Sequence, residues 1–329
     1  MPSPSRPSPR SYAILGTGAI GGYYGGLLAR AGFETRFLLR SDFGHVREHG
    51  LRVDTPDGGF HLERVHAYAD PQDMPRSDVA VVCLKATQND ALGKLLPRVL
   101  KPGGVVVLLQ NGLNAERTVA ALVPEHDVVG GLCFVCVNKN SYGHVRYFDY
   151  GRIKLGMYDR DGDDQPVGIT PPLDAIAGDF TAAGIDAEPV EDLVRARWQK
   201  LMWNVPFNGL SVVLRTTTVE LIGHVGSLAL CRELIREVGE GCETATGRTI
   251  DEAFREKMIE DTRRMTPYRT SMLVDFESGR PMEVEAIFGE PLRDAGAAGC
   301  LLPRLQTLYR QLSFLNNASH NACVSNNAW

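Results

Sequence analysis

The chain has 329 residues, 43% of them hydrophobic, with 35 basic and 40 acidic side chains and a formal net charge of −5. This length allows two domains with a sizeable core, and the evenly spread charge argues against a nucleic-acid or membrane-surface partner. No apolar run approaches the roughly 18 residues of a membrane span. Residues 1–10 are rich in Pro and Ser without an apolar segment, so we expect a disordered N-terminus, no signal peptide and a cytoplasmic protein.

A strand, a glycine turn, a helix and a second strand are predicted in the first 40 residues. The apolar strand covers 12–15, the helix begins near Ala19, and the second strand covers 35–39. This order is the context that a dinucleotide-binding fingerprint requires. The residues expected to bind the cofactor at this turn are Gly16, Thr17, Gly18, Ala19, Ile20 and Gly21.

Each of the three glycines has its own role in such a turn. Gly16 permits the tight turn, Gly18 lets the backbone approach a pyrophosphate, and Gly21 lets the helix pack closely on the strand. The pyrophosphate would bind the unpaired amides at the helix N-terminus. The alternative is a glycine-rich turn without a ligand, and the two flanking strands argue against it.

The end of the second strand indicates NADPH. An NAD-binding unit usually carries Asp or Glu there, about 20 residues after the glycines, to bind the ribose 2′-hydroxyl. Residues 38–41 read Leu-Leu-Arg-Ser instead. Arg40 could bind a 2′-phosphate through its planar guanidinium. The alternative is a solvated surface arginine.

Strand and helix patterns alternate up to residue 190. After a strand–turn–strand pattern from residue 51, we expect strands at 79–84, 105–109, 128–137 and 186–190, helices at 92–100 and 116–123, and a hairpin at 146–158. The alternation predicts a parallel sheet with helices on both faces. Ligands of such sheets bind outside the carboxyl ends of the strands. That expectation places the glycine turn, Arg40, Lys85 and Asn111 along one rim.

Cys133 and Cys136 form a Cys-x-x-Cys sequence inside the predicted strand at 128–137. Residues three apart on a strand point to opposite faces, and no second pair of ligands follows at zinc spacing. We interpret both as core thiols and predict no metal site.

Helical periodicity replaces the strand patterns after residue 190. The predicted helices cover 193–210, 219–246, 250–266, 284–298 and 303–315. We therefore divide the chain into an α/β domain at 11–190, an all-helical domain at 191–315 and a disordered tail at 316–329.

A polar stripe runs along the first of these helices. Lys200, Asn204 and Asn208 recur every four residues, between side chains that are almost all apolar. A helix this apolar is largely buried, so the stripe either lines a cavity or is a structural hydrogen-bonding ladder. Pro206 should remove an internal hydrogen bond and kink the helix.

These segments together resemble the ketopantoate reductase family over about residues 11–315. By pattern alone Glu283 is ambiguous, because a glutamate near a helix start is usually a capping residue. The resemblance rests on the glycine turn, Lys85 with Gln88, Gln110-Asn111-Gly112, the stripe that begins at Trp198, Ser271-Met-Leu-x-Asp275 with Gly279-Arg280-x-x-Glu283, and Pro303 before the closing helix.

The resemblance implies NADPH-dependent reduction of 2-dehydropantoate to pantoate. It also implies an N-terminal Rossmann-type domain followed by a helical domain like the C-terminal part of 6-phosphogluconate dehydrogenase. Lys200 matches the catalytic lysine and Glu283 its acidic partner. The positions expected to bind substrate are Asn111, Asn204, Asn208 and Ser271. The further positions expected at the cofactor are Arg40, Lys85, Gln88, Asn111 and Glu283.

Two departures from the family pattern fall on the substrate side. Tyr268 stands where some members carry an asparagine three residues before the serine, and 216–218 is Thr-Thr-Thr where some place another asparagine. Because of these departures, the alternative that the protein reduces a different 2-oxo acid stays open. A non-catalytic NADPH sensor is a further alternative, although a sensor has no need of the buried stripe. The expected partner is a small-molecule 2-oxo acid, and a homodimer stays open.

Overall fold

A computed structural model describes the backbone of residues 10–326 and the side chains of residues 10–318. The expected disordered N-terminus lies outside the described residues except for Arg10, whose guanidinium donates to Asp179 Oδ2 and to the Ala175 carbonyl, both at 2.7 Å. Residues 327–329, the end of the expected disordered tail, also lie outside the described residues.

Contacts within the chain divide it into two compact units. The first unit comprises the chain up to Leu84 together with Gln88–Gln110 and Glu116–Glu191. The second comprises Lys85–Thr87, Asn111–Ala115 and the chain from Asp192 onward. The sequence division treated 11–190 as one domain, whereas the structure groups two short segments of that range with the second unit.

The first unit is built on one sheet of ten strands among the described residues. In chain order they are β1 (Tyr12–Leu15), β2 (Thr35–Leu38), β3 (Leu51–Asp54), β4 (Phe60–Leu62), β5 (His66–Tyr68), β6 (Ser77–Val82), β7 (Leu100–Leu108), β8 (Asp127–Ser141), β9 (His144–Met157) and β10 (Ala187–Val190).

The strand order is that of a dinucleotide-binding sheet. The full order is β4-β3-β9-β8-β7-β6-β1-β2-β5, with β10 beside β9. The part from β5 through β2, β1, β6 and β7 to β8 is parallel throughout. It reproduces the 3-2-1-4-5-6 order of the Rossmann fold, in which the order reverses between β1 and β6. Beyond β8 the sheet becomes mixed, because β9 returns antiparallel to it and β3 adds parallel to β9.

Three helices of the first unit were predicted and two were not. The predicted ones are α1 (Ala19–Arg30), α3 (Leu92–Val99) and α4 (Ala115–Leu122), whose first residue belongs to the second unit; α2 (Phe43–His49) and α5 (Pro171–Ala182) had no predicted counterpart. All four residues of β1 are 0% exposed, as expected for a central parallel strand covered on both faces. The predicted α/β fold class is confirmed.

From Asp192 onward the described part of the second unit consists of helices and the segments that connect them. Its helices are α6 (Leu193–Trp203), α7 (Gly209–Leu214), α8 (Thr218–Gly223), α9 (Val225–Thr246), α10 (Glu252–Arg264), α11 (Ser271–Glu277), α12 (Glu290–Ala297) and α13 (Pro303–Asn326). Their apolar faces enclose one core that includes Trp198, Phe207 and Phe288, each at most 1% exposed. No helix within residues 10–326 is both long and apolar enough to cross a membrane.

Two predicted helices contain a π-helical turn. The first turn, Asn204–Asn208, joins α6 to α7, and the second, Glu285–Gly289, precedes α12. Pro206 lies inside the first turn, at the position where the sequence predicts a kink. A proline has no N–H for the carbonyl four residues earlier, and a widened turn accommodates this local loss of α-helical pairing.

The last helix is longer than the sequence predicts. We expected it to end at Leu315 and a disordered tail to follow, whereas α13 continues to Asn326. Residues 316–326 are polar, but they contain neither Pro nor Gly to end a helix. Asn316 is also tied to the preceding segment, because its Oδ1 accepts a hydrogen bond from the Met282 amide at 2.9 Å.

Candidate active site

The glycine turn between β1 and α1 has the space and the constraints that its sequence predicts. A Cβ on Gly16, whose φ is +95°, would lie 2.9 Å from the Leu84 nitrogen, and one on Gly21 would lie 2.2 Å from the Gly16 carbonyl oxygen. A Cβ on Gly18 would meet no atom within 4 Å. The first and third glycines are therefore needed for packing, while the second leaves an open approach to the backbone. This arrangement fits the cradle of a pyrophosphate.

After β2 the chain carries an exposed arginine, Arg40, and a buried carboxylate, Asp42. Arg40 is exposed, and its side chain makes no hydrogen bond or ion pair with the residues that the structure describes. Asp42 is 3% exposed, with Oδ1 at 2.6 Å from Lys139 Nζ and Oδ2 accepting from the Gly143 amide at 3.0 Å. Because Lys139 and Gly143 engage both oxygens, Asp42 does not replace the ribose-binding carboxylate that the sequence lacks. The geometry fits NADPH.

A hydrogen-bonded chain joins three predicted site residues within the second unit. Lys200 Nζ donates to Asn111 Oδ1 at 2.9 Å, and Asn111 Nδ2 donates to Glu283 Oε2 at 3.1 Å. The other oxygen of Glu283 accepts from the Ala86 amide at 3.2 Å. Lys200 is 7% exposed and Glu283 is 8% exposed. The structure thus pairs a buried ammonium with a buried carboxylate through one asparagine, which orients both.

The two asparagines of the stripe lie at the ends of the first π-helical turn. Asn204 is 4% exposed and Asn208 is 3% exposed. Among the described residues, Asn204 Nδ2 is buried and has no hydrogen-bond partner. A buried donor left unpaired costs about 1–3 kcal/mol, so this amide argues against a fully satisfied structural ladder. A ligand that reached these N–H groups would supply the missing acceptor.

Asn208 provides a direct test between the two interpretations of the stripe. If it binds substrate, Asn208→Ala should raise KM for the oxo acid about tenfold, since a hydrogen bond to a charged group contributes about 1.5–3 kcal/mol. Tm should stay near that of the parent. Steady-state kinetics and a thermal melt measure both, with the exposed Asn140→Ala as the matched control. A sharp fall in Tm with unchanged KM would establish the structural ladder instead.

Ser271 is the exposed first residue of α11. The N-cap of this helix is Thr270, whose Oγ1 accepts from the Leu273 amide at 3.2 Å. Thr270 Oγ1 also shares a hydrogen bond with Ser211 Oγ at 2.7 Å, and Ser211 Oγ donates to the Asn208 carbonyl at 3.0 Å. Buried hydroxyls therefore connect the backbone at Asn208 to the start of the helix that carries Ser271.

Lys85 and Gln88, both predicted near the 2′-phosphate, have different surroundings. Lys85 forms an ion pair with Asp275, whose Oδ1 also accepts from Arg280 Nε at 3.0 Å. Gln88 is exposed on a 3₁₀ turn over Ala86–Ala91. Lys85 is therefore bound by Asp275, and both residues belong to the second unit.

Sequence reasoning missed two groups of this site. The Ala86 amide that binds Glu283 is a backbone group, which no residue type signals. Asp275 was noted only as part of the family pattern, although it is 6% exposed and ion-paired. The available signal for Asp275 was a carboxylate among apolar residues, Met272-Leu273-Val274 before it and Phe276 after it, since buried charges are normally paired.

The Cys-x-x-Cys sequence lies on β8. Cys136 is buried, and burial raises the pKa of its thiol to about 12, while Cys133 is half-buried. The described residues hold no group of three or more His, Cys, Asp or Glu side chains that could bind a metal ion.

Comparison with known proteins adds an independent observation. Residues 12–160 match the family model Ketopantoate reductase PanE/ApbA, and residues 192–316 match Ketopantoate reductase PanE/ApbA C terminal. A 2-dehydropantoate 2-reductase of Nostoc sp. is 48% identical over 307 residues, which cover 93% of this chain and 95% of that relative.

Solved structures agree with this match. A 2-dehydropantoate 2-reductase from Geobacter metallireducens GS-15 superposes with a TM-score of 0.86 at 35% identity, over 92% of this chain and 99% of that one. Another from Methylococcus capsulatus gives a TM-score of 0.84 at 32% identity, over 94% and 98% of the two chains. With its glycine turn, its lysine–asparagine–glutamate chain and these matches along nearly its whole length, the chain belongs to the ketopantoate reductase family.

Proposed function

We propose that this protein reduces 2-dehydropantoate to pantoate with NADPH, a step of pantothenate biosynthesis. The observation that carries the proposal is the chain Lys200–Asn111–Glu283 in a member of this family. It provides a buried proton donor for a ketone oxygen and a carboxylate that fixes the donor. The nearly full-length relatives at 48% and 35% identity support the same reaction.

NADPH is the reductant, and when bound it supplies the hydride that the ketone carbon receives. The glycine turn at Gly16–Gly21 would hold its pyrophosphate, and Arg40 its 2′-phosphate. Asp42 is not expected to bind that end of the cofactor, because its carboxylate is buried and is bound by Lys139 and the Gly143 amide.

Lys200 acts as the general acid. Its ammonium binds the ketone oxygen of the substrate, stabilises the alkoxide that develops there and delivers the proton. Asn111 Oδ1 accepts a hydrogen bond from Lys200 Nζ, and Asn111 Nδ2 donates one to Glu283, so Glu283 fixes the orientation of the amide that holds the lysine. Because Glu283 is in turn fixed by the Ala86 amide, the ammonium is held before substrate binds.

The substrate-side groups are the two buried asparagines and Ser271. We assign the unpaired Nδ2 of Asn204 to a hydrogen bond with the oxo acid. Asn208 and Ser271, connected through Ser211 and Thr270, orient the remainder of the molecule. An amide and a hydroxyl suit a substrate that carries both a carboxylate and a hydroxyl group.

One observation favours a second candidate, a reductase for a different 2-oxo acid. The two departures from the family pattern lie against each other, because the Thr218 amide and hydroxyl both donate to the Tyr268 carbonyl, at 3.2 and 3.4 Å. Both changes therefore alter one region of the second unit. A change confined to one region can alter the alkyl group that is accepted and leave the hydride chemistry in place.

A substrate panel tests the proposal. NADPH oxidation is followed by the absorbance of the reduced nicotinamide, with 2-dehydropantoate and with 2-oxo acids that differ in branching and in the terminal hydroxyl. We expect 2-dehydropantoate to give a kcat/KM at least about tenfold above every other acid, as expected for a site that binds a substrate hydroxyl. A higher value for another acid would establish the second candidate. NADPH binding without turnover of any acid would indicate the sensor.

The cytoplasmic location and the homodimer stay predictions. Light scattering at the assay concentration measures the mass of the particle against the 36.0 kDa of one chain. Fractionation of cells that produce the protein tests its location. The substrate proposal depends on neither result.

A further inference from the structure

The second π-helical turn leaves one backbone carbonyl without a partner in its own helix. The Glu290 amide bonds to the Glu285 carbonyl, five residues earlier. In an α-helix it would instead bond to the Ala286 carbonyl. The next residue that could serve Ala286 is residue 291, which is a proline and has no N–H. The π-helical turn and Pro291 together free the Ala286 oxygen.

The freed carbonyl binds the loop that carries Asn111. The Leu113 amide donates to the Ala286 oxygen at 3.0 Å. Ala286 lies three residues after Glu283, and Leu113 lies two residues after Asn111. This backbone hydrogen bond therefore runs beside the side-chain hydrogen bond between Asn111 and Glu283, and it joins the same two segments.

Gly112 is what lets the two segments come this close. Its φ is +91°, a conformation that favours glycine, and a Cβ on it would lie 2.3 Å from the Ala286 oxygen and 2.4 Å from the Ala286 carbonyl carbon. No real Cβ approaches backbone atoms to these distances, so any side chain would push the loop away from the turn. Displacing the loop would lengthen the contact between Asn111 and Glu283.

We infer that Gly112 and the Ala286 carbonyl are positioning groups that set the distance between Asn111 and Glu283 and thereby hold Lys200. Neither group contacts the substrate, and both act through Asn111. The inference rests on the proposed function, since it assigns the loop a role in the same proton transfer. It requires that a small displacement at Gly112 reduces turnover in protein that is fully folded.

The test compares Gly112→Ala with Gly32→Ala. The two glycines have nearly the same φ, +91° and +90°, but a Cβ on Gly32 would meet nothing within 4 Å. The control therefore carries the same backbone strain without the clash. We expect Gly112→Ala to lower kcat by on the order of 10²-fold, as for a misplacement of about 1 Å, and Gly32→Ala to stay within about twofold of the parent.

A purely structural role would give a different pattern. It would lower Tm of Gly112→Ala while the folded fraction kept the parental kcat, and that result would overturn the inference. The pH profile is a second readout. In Gly112→Ala the displaced loop would move Asn111 Oδ1 away from Lys200 Nζ. The ammonium of Lys200 would then lose a hydrogen bond that favours it, so the alkaline limb of kcat should move to lower pH. An alkaline limb that stays at the parental pH would also contradict the inference.

Hydrogen exchange keeps the inference testable if Gly112→Ala does not fold. In the unmodified protein the Leu113 amide should exchange at least about 10²-fold more slowly than in an unstructured peptide. Exchange at the peptide rate would show that Ala286 does not hold it and would overturn the inference. This measurement needs no substrate. If the unmodified protein does not reduce 2-dehydropantoate but its Leu113 amide exchanges slowly, the proposed function is refuted and the hydrogen bond to Ala286 is not.

Discussion

Replacing Lys200 with alanine is expected to lower kcat for oxo-acid reduction by on the order of 10²-fold or more at neutral pH. The ammonium stabilises a charge that exists only in the transition state, so its loss acts on turnover. The Kd for NADPH should change little, because the glycine turn and Arg40 are expected to hold the cofactor. Stopped-flow kinetics and fluorescence titration measure the two quantities. Lys257→Ala, an exposed lysine paired with Asp261 on α10, is the matched control.

One further variant and the pH profile sharpen this test. Lys200→Arg should rescue poorly, because a guanidinium keeps the charge but hardly releases a proton, and its planar fork is wider than an ammonium. The parent should lose activity at high pH as the ammonium deprotonates, and Lys200→Ala should lack this alkaline limb. Turnover by Lys200→Ala within a few-fold of the parent would show that another group is the acid.

Replacing Arg40 with aspartate is expected to reverse the preference of the enzyme from NADPH to NADH. A hydrogen bond between charged groups contributes about 1.5–3 kcal/mol, so losing it and adding a repelling carboxylate should change the ratio of kcat/KM values by about 10²-fold or more. The carboxylate also suits a free ribose 2′-hydroxyl. Initial rates with both cofactors at one fixed oxo-acid concentration give the ratio.

The exposed Arg64 offers a control for the charge change. Arg64→Asp alters the net charge of the first unit equally, at a residue outside the predicted site, and should leave the NADPH-to-NADH ratio unchanged. An unmodified protein that uses both cofactors with equal efficiency would refute the assignment of Arg40. If Arg64→Asp changed the NADPH-to-NADH ratio by the same amount, the effect would come from long-range charge and not from a contact of Arg40.

The first half of the fold was predictable because local signals decide it. The strand at 12–15 and the helix from Ala19 coincide with β1 and the start of α1. Turn glycines and apolar runs fix such elements within a few residues of sequence. The sequence predicted a parallel sheet but not the order β5-β2-β1-β6-β7-β8, because the handedness of a βαβ connection fixes the face on which its helix packs and leaves the order of the strands open.

The site was less predictable because its contacts join residues far apart in the sequence. The stripe was visible in the spacing of Lys200, Asn204 and Asn208, and Pro206 marked the first irregular turn. The second π-helical turn had a weaker signal, the proline at 291. The hydrogen bonds of Glu283 to Asn111 and to the Ala86 amide span 172 and 197 residues, and only the folded chain brings these groups together.

The position of β9 in the sheet has a consequence for the nascent chain. Strand β3 has β4 on one side and β9 on the other, and His144, where β9 begins, follows Asp54 at the end of β3 by 90 residues. At roughly 5–20 residues per second, ribosomes need about 5–18 s to make that interval. Throughout it one edge of β3 has no strand to pair with, and an open edge invites association with other chains. We expect production in cells to depend on a holding chaperone, and slower translation downstream of β3 to increase aggregation.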